Sequence, residues 1–275
     1  MIRVSDALPP DLIHALVSAE PRLAGFARLR YFADVESTND IALKLCVAGA
    51  PEGTSVLADV QHAGRGRRGH TWFSPAGAGL YLSVIVRPGE SARALSLLTL
   101  AAGVAAADAI TTTSGLPVEL KWPNDLVSGR PWRKLGGLLC ESSGPGASVD
   151  AVVVGIGVNL RQVAYPPEIA DRATSIETEL GRPVDRAALV VEVLARLRET
   201  VDRLREGDAR WVSDEWRRWG RAGLGGATVR WIDQHTERRG FAQDIDEDGA
   251  LLVESNGRLE RLVAGEVTWE RLSRG

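Results

Sequence analysis

Three arginines, Arg65, Arg67 and Arg68, alternate with Gly64, Gly66 and Gly69 in the run QHAGRGRRGHTW, residues 61–72. Guanidinium groups grip phosphate or carboxylate through paired N–H donors, and glycine lets backbone N–H groups approach the same oxygens. A second candidate set lies in KWPNDLV, residues 121–127. There Asn124 and Asp125 shape a turn beside Pro123, and Asp125 is also the kind of carboxylate that Mg²⁺ takes together with phosphate oxygens and water. A third is RKLGG, residues 133–137, where Lys134 beside Gly136 and Gly137 could stabilise charge on a phosphoryl group during transfer. Asn159 ends GIGVN, residues 155–159, and could either donate to a ligand or shape a turn. Trp72 serves equally well as a loop anchor or as a stacking surface. Each group taken singly has an ordinary reading as well, the loop as a flexible surface or RNA-contacting segment and Lys134 as a solvated strand-edge side chain; the chemical reading is that the loop closes over something anionic. The loop lacks the phosphate-loop spacing GxxxxGK[ST] and does not open a helix as a dinucleotide-binding GxGxxG does.

Elements of ordinary type must position these groups. Proline entry and apolar spacing predict a short helix in PPDLIHALVSAEPRL, and LRYFADVES reads as a strand. STNDIALKLCVAG reads as a helix with Ser37 or Thr38 at its N-cap, a role that competes with ligand binding by the same hydroxyls. TSVLADVQ is a strand that delivers the chain into the Gly/Arg loop, and GLYLSVIVRP is the strand that follows it. SARALSLLTLAAGVAAADAIT reads as a buried helix, and VELKWPNDLV as a strand interrupted at Pro123. RKLGGLLCESS and DAVVVGIGVNL are strands whose closely spaced glycines suggest backbone approached by another group. An amphipathic helix runs from about Asp185 to Arg205. After GLGG, near Leu224, short strands separated by DEDG and SNG turns form a small all-β module, expected to be a barrel.

Composition narrows the classes. The chain has 275 residues, 44% hydrophobic and 25% charged, enough for one large domain and a small one. A net charge of −3 and a pI near 5.9 argue against general nucleic-acid affinity, so polyanion contact must be local. Two cysteines, Cys46 and Cys140, cannot build a disulfide framework or a cysteine-rich metal site and are read as buried reduced thiols. No stretch is expected to be long and apolar enough to span a bilayer, and the start lacks a secretory signal, so a cytoplasmic protein without membrane contact is expected.

Taken together, ESTN, QHAGRGRRGHTW, KWPNDL, RKLGGLL and VVVGIGVNL, in that order from Ser37 to Asn159, resemble the catalytic domain of biotin protein ligases. The terminal β module resembles that family's small SH3-like barrel. The resemblance implies an α+β fold, a mixed β-sheet packed with helices as in class II aminoacyl-tRNA synthetases, over residues 1–222, and the SH3-like domain over 223–275. It implies activation of biotin by ATP, with Mg²⁺, to biotinyl-5′-AMP and pyrophosphate. Transfer to a lysine of the biotin carboxyl carrier domain of acetyl-CoA or a related acyl-CoA carboxylase would follow.

Carried over, Ser37, Thr38, Asn39 and Gln61 would line the biotin pocket, and Gly64, Arg65, Gly66, Arg67 and Arg68 would form a mobile biotin-binding loop beside Trp72. Lys134 would bridge the biotin carboxylate and the α-phosphate, with Arg67 and Arg65 as further catalytic cations. Gly136, Gly137, Gly155 and Gly157 would open the backbone along the biotin chain. Arg67, Arg68, Trp72, Asn124, Lys134, Asn159 and Ala173 would meet the nucleotide, and Asp125 would serve the metal. His70 stands where the family often carries arginine or lysine. The first 30 residues or so show no basic recognition helix, so no DNA partner is expected. A lipoate–protein ligase is the nearest rival, separable by ATP–pyrophosphate exchange with biotin or lipoate.

Overall fold

The structure is a computed structural model that describes residues 5–87, 92–129, 131–143, 151–221, 223–233, 236–263 and 267–270. Along the chain the larger unit runs α1 (Pro10–Leu23), β1 (Leu29–Val35), α2 (Thr38–Val47), β2 (Ser55–Gln61), β3 (Gly79–Val86) and α3 (Ala92–Ser114). It continues with β4 (Glu119–Lys121), β5 (Asp125–Ser128), β6 (Arg133–Ser143), β7 (Ala151–Asn159), α4 (Pro167–Ala170), α5 (Ile176–Leu180), α6 (Arg186–Arg205) and α7 (Ala209–Trp219). Its seven strands lie in the order β1-β2-β3-β7-β6-β5-β4, with β1 and β2 parallel and every other pair antiparallel. The sheet is therefore mixed, and the parallel pair is joined through α2.

Period-two alternation sorts the strands onto two faces. On β3, Leu80, Leu82, Val84 and Val86 join the large core under α3, α6, α1 and α7, whereas Ile85 joins a smaller core under α2. On β7, Val152, Val154, Ile156 and Val158 face the large core, and Ala151 and Val153 face α2. Beyond Val153 the α2 face stops being apolar, because the next residues on it are Gly155 and Gly157. A bare patch of backbone opens there, at the N-terminal end of α2.

Pro123 ends β4, and residues 122–124 turn the chain so that Lys121 lies opposite Asp125 on β5. Asp185 caps α6, its carboxylate accepting the Ala188 N–H at 3.0 Å. No element is expected between 206 and 222, yet α7 forms there. It buries Ala209, Val212, Ser213 and Trp216, a helical spacing that its density of charged residues obscures. The bilayer expectation needs correction: Ser96–Ser114 of α3 is long and apolar enough by composition to cross a membrane, but 67% of that window is buried. A helix apolar on most sides suits a position between a sheet and other helices.

The small module has β8 (Ala227–Asp233), β9 (Thr236–Ile245), β10 (Leu251–Ser255), β11 (Arg258–Leu262) and β12 (Val267–Trp269), antiparallel in the order β11-β10-β9-β8-β12. Among the described residues no ladder joins β11 to β12, so the sheet is not closed by backbone pairing. Asn256 and Gly257 both take positive φ (51° and 71°) in the two-residue hairpin between β10 and β11, the conformation such a turn requires. The module does not own a separate core. Val229, Trp231, Ile245 and Leu251 join the same buried cluster as Leu97 and Leu100. The Trp122 indole N–H donates to the Gly249 carbonyl (3.0 Å), and that of Trp269 donates to the Trp122 carbonyl (3.3 Å).

Candidate functional site

The bare patch is the floor of a cleft of about 1130 Å³. Strand register explains it. Tyr81 of β3, Gly157 of β7, Gly137 of β6 and Asp125 of β5 lie opposite one another in a single row across the sheet. Two side-by-side glycines at its centre leave the backbone uncovered, and larger groups lean over it. A Cβ on Gly157 would fall 2.6 Å from the Trp72 indole nitrogen, and one on Gly137 3.4 Å from the Lys134 side chain. Trp72 and Lys134 thus meet above the glycines, with the ammonium 5.5 Å from the indole centroid. The Trp72 indole N–H is buried and has no protein acceptor. Trp72 therefore acts both as anchor and as cleft wall: its backbone N–H donates to the Gly64 carbonyl at 2.9 Å while its half-buried ring lines the cleft.

At one end of the cleft lies a polar pocket built on the start of α2. Ser37 stands at the N-cap position, but its hydroxyl makes no capping bond. Ser37, Thr38 and Asn39 are all buried. The Gln61 carboxamide oxygen accepts the Thr38 N–H (2.9 Å) and hydroxyl (3.1 Å), while its nitrogen donates to Ser74 (3.0 Å). Ser83 donates to the Asn39 carboxamide oxygen at 2.5 Å and lies 2.8 Å from the Thr38 hydroxyl. The Asn39 nitrogen donates to Glu141 at 2.6 Å. Such a connected array of donors and acceptors holds its members rigidly and suits a compact polar ligand head.

The other end is cationic. Lys134 pairs with Asp125 at 2.5 Å, and the second oxygen of Asp125 lies 3.5 Å from the Lys121 ammonium. Asn124 is locked to β6: its side-chain N–H donates to the Leu138 carbonyl (2.8 Å), and its own carbonyl accepts the Leu138 N–H (3.0 Å). Its side-chain oxygen accepts from Arg67 at 3.5 Å.

The Gly/Arg run is a small hairpin rather than a featureless loop. Gly66 N–H donates to the His70 carbonyl (2.7 Å), Arg65 bridges to Thr71, and Arg67–Gly69 make a tight 3-10 turn at the tip. Arg68 has φ +54°, the strained position of that turn. Arg65 is held by Asp40 (2.7 Å) and Glu141 (3.2 and 3.3 Å), and the Asp40 hydrogen bond, against some desolvation, drives its pKa above the ordinary arginine value.

Most residues singled out from the sequence meet here. Ser37, Thr38, Asn39, Gln61, Arg65, Gly66, Arg67, Arg68, Trp72, Asn124, Asp125, Lys134, Gly137, Gly155, Gly157, Asn159 and Ala173 all line the cleft. Gly64 and Gly136 do not. Gly64 is wedged against Ser74 and the Trp72 carbonyl, where a Cβ would come within 2.7 Å of both. Gly136 points to the opposite side of β6 from Gly137, toward Leu126 and the Gly157 carbonyl. Asn159 donates to the Thr174 carbonyl at 2.9 Å, so its amide nitrogen serves the protein. Tyr165, which donates to the same carbonyl at 3.1 Å, has its pKa pushed up to about 12 by burial.

The segment 172–174 lies along the start of β6, with the Lys134 N–H donating to Arg172 (2.6 Å) and Thr174 N–H to the Lys134 carbonyl (2.9 Å). Sequence reasoning missed Asp40, Ser74, Ser83 and Glu141, because a lone serine or carboxylate on an ordinary strand or helix carries no local signal. For Ser83 the one clue was a hydroxyl between apolar neighbours in LSVIV. Among the described residues no cluster of three His, Cys, Asp or Glu could hold a metal ion. Neither cysteine is paired; Cys46 is buried as expected, whereas Cys140 is only half-buried, and burial pushes its thiol up to about 11.

Residues 31–159 match the Biotin/lipoate A/B protein ligase family, and residues 226–268 match the Biotin protein ligase C terminal domain. The biotin–[acetyl-CoA-carboxylase] ligase of Paracoccus denitrificans is 36% identical over 248 residues, 86% of this chain and 98% of that one. Its counterpart from Mycobacterium tuberculosis is 33% identical, covering 89% of this chain and 90% of its own. Among solved structures, the biotin protein ligase of Aquifex aeolicus in complex with biotin and ATP superposes with a TM-score of 0.77 at 30% identity, over 89% of this chain and 99% of that chain.

Proposed function

This chain belongs to the biotin protein ligase family, and from that premise we propose how its cleft divides the family reaction among its own residues. The enzyme activates biotin with ATP to biotinyl-5′-AMP and pyrophosphate, then transfers the biotinyl group to a lysine of a biotin carboxyl carrier domain. In the first step a biotin carboxylate oxygen bonds to the α-phosphorus and pyrophosphate leaves with the electrons of the broken P–O bond. In the second, the lysine amine bonds to the acyl carbon, AMP leaves, and the amine loses a proton.

The polar pocket of Ser37, Thr38, Asn39 and Gln61 takes the ureido head of biotin, whose N–H and carbonyl groups need the mixture of acceptors and donors found there. The glycine floor at Gly155, Gly157 and Gly137 takes the valeryl chain, since an extended chain needs close backbone approach and no side chains. The carboxylate then ends beside Lys134. Attack on a triphosphate brings like charges together, and ammonium and guanidinium groups in a partly dry cleft are the main stabilising term. Lys134 and Arg67 are the groups assigned to it, with Arg68, Trp72, Asn124, Asn159 and Ala173 along the nucleotide. Trp72 can also give its unpaired N–H to the ligand.

Mg²⁺ enters with ATP. Asp125 is the carboxylate that would serve it, one acidic group being what Mg²⁺ uses when phosphates and waters complete the shell. Residues 1–222 are read as the catalytic unit and 223–275 as the terminal domain, whose Thr268, Trp269 and Glu270 also line the cleft. The carrier protein is the biotin domain of an acyl-CoA carboxylase, which with ATP indicates the cytoplasm.

The observation that carries this assignment is that Lys134 and Arg67 open into the same cleft as the polar pocket. The test is to mix the enzyme with biotin, MgATP and a carrier domain and weigh the carrier. A mass gain of one biotinyl group on the carrier supports the reading. Adduct formation with lipoate in place of biotin overturns it.

A further inference from the structure

The three arginines of the hairpin have different surroundings. Arg67 sits at the tip and reaches Asn124 at 3.5 Å, and Arg68 takes the positive-φ position of the turn. Arg65 stands at the root. Its guanidinium spans two elements, pairing with Asp40 in the first turn of α2 (2.7 Å) and with Glu141 on β6 (3.2 Å). Charge makes the distinction sharper. Two carboxylates around one guanidinium leave that cluster with a net negative charge, so it offers no attraction to a carboxylate or a phosphate. Arg67 sits instead in the turn at the hairpin tip and lines the cleft. Glu141 also accepts from Asn39 (2.6 Å), which accepts from Ser83 (2.5 Å), so the same carboxylate touches both the hairpin root and the polar pocket.

We propose that Asp40 and Glu141 clamp Arg65, and that Arg65 is a positioning residue rooting the hairpin to α2 and β6, so that only the tip bearing Arg67 and Arg68 opens and closes. The three arginines then have separate duties: the root holds, and the tip meets the ligand. Because Glu141 also restrains Asn39, the clamp ties hairpin position to the geometry of the polar pocket. A finger fixed at its base loses less entropy on closing than a loop free along its whole length, which favours retention of a reactive intermediate. Arg65 would thus affect catalysis through the hairpin and not through contact with biotin or nucleotide. This rests on the ligase reading above.

The experiment compares the full-length enzyme with Arg65→Ala, with the Asp40→Asn/Glu141→Gln pair, and with all three changes together. Release of preformed biotinyl-5′-AMP is followed after rapid dilution. Arg65→Ala and the carboxylate pair are each expected to speed release about tenfold, and the triple variant no more than either, because groups acting as one unit are not additive. A triple variant near the product of the two effects means that Arg65 contacts the ligand itself and overturns the clamp. A second reading needs no ligand. Tryptic cleavage after Arg67 or Arg68 in the free enzyme should rise about tenfold in Arg65→Ala and in the carboxylate pair, as an unrooted hairpin opens more often. Equal cleavage in all forms overturns the clamp whether or not an adenylate is made, while failure of the parent to make biotinyl-5′-AMP counts against the ligase reading alone. Should Arg65→Ala not fold, Arg65→Gln replaces it. Both carboxylates meet Arg65 at one guanidinium nitrogen, Nη2, and the glutamine removes that charge, so release and cleavage at the parental rate would again dismiss the clamp.

Discussion

Replacing Gly155 by alanine probes the junction between the glycine floor and the polar pocket. Its φ is unexceptional, so backbone strain is not at issue, and the added methyl is the whole perturbation. That carbon would lie 3.0 Å from both the Cγ and Nδ2 of Asn39 and closer still to its Oδ1. All three belong to one planar amide held at both ends, by Ser83 at 2.5 Å and by Glu141 at 2.6 Å, so no flexible tip can swing aside. The amide must retreat by about 1 Å, an overpacking penalty of roughly 1–3 kcal/mol. Both hydrogen bonds lengthen as it does, and the bond to the Glu141 carboxylate alone is worth about 1.5–3 kcal/mol. Relaxation will recover part of this, leaving about 2–4 kcal/mol to appear as lost biotin affinity, lost stability, or a division between them. Calorimetric titration with biotin measures the first and a urea melt the second. Gly103→Ala on α3 is the control, since its methyl would meet only the Leu120 side chain, at 3.4 Å or beyond, and lies outside the cleft lining. If Gly155→Ala binds biotin within twofold of the parent and melts at the same urea concentration, Asn39 is not held as described and the account of the pocket is wrong.

Lys134→Ala should lower ATP–pyrophosphate exchange by at least about a hundredfold with little change in the urea midpoint, as expected when a charge donor is removed from a reacting phosphate; near-parental exchange would take the ammonium out of the mechanism. Deleting the chain from Gly223 onward should lower the melting temperature of the remainder, because it uncovers Leu97, Leu100 and Trp122, on which the small module packs. An unchanged melting temperature would show that the shared core is dispensable. Glu192 is buried on α6, which by itself would raise its pKa, but hydrogen bonding and charge from Arg22, then Arg196, outweigh burial and leave it below the usual carboxylate range. A depressed carboxylate stabilises the fold above its unfolded pKa of about 4.3 and loses that contribution as pH falls through the folded value. The parent should therefore exceed Glu192→Gln by about 2 kcal/mol at pH 7, with the gap closing below about pH 4; a pH-independent gap in denaturant melts would contradict the sign.

Much of this protein was legible in order along the chain. Strand boundaries at RKLGGLLCESS and GLYLSVIV, the hairpin break at Pro123 and the long helix after Asp185 follow from side-chain period, proline and capping, which are properties of neighbours in sequence. The Gly/Arg run and Lys134 each read equally as solvated surface by residue type, and it was their order along the chain with ESTN, KWPNDL and GIGVN that marked a site. What local pattern could not decide was which glycine faces the cleft. Gly136 and Gly137 are adjacent, and only the pairing of β6 with β5 and β7 turns Gly137 to the cleft and Gly136 to the core. Nor could it separate Arg65 from Arg67, which look alike in sequence: Asp40 and Glu141 come to Arg65 from 25 residues upstream and from 76 residues downstream. A partner at that distance is set by how the sheet and α2 pack, and packing depends on the whole chain at once.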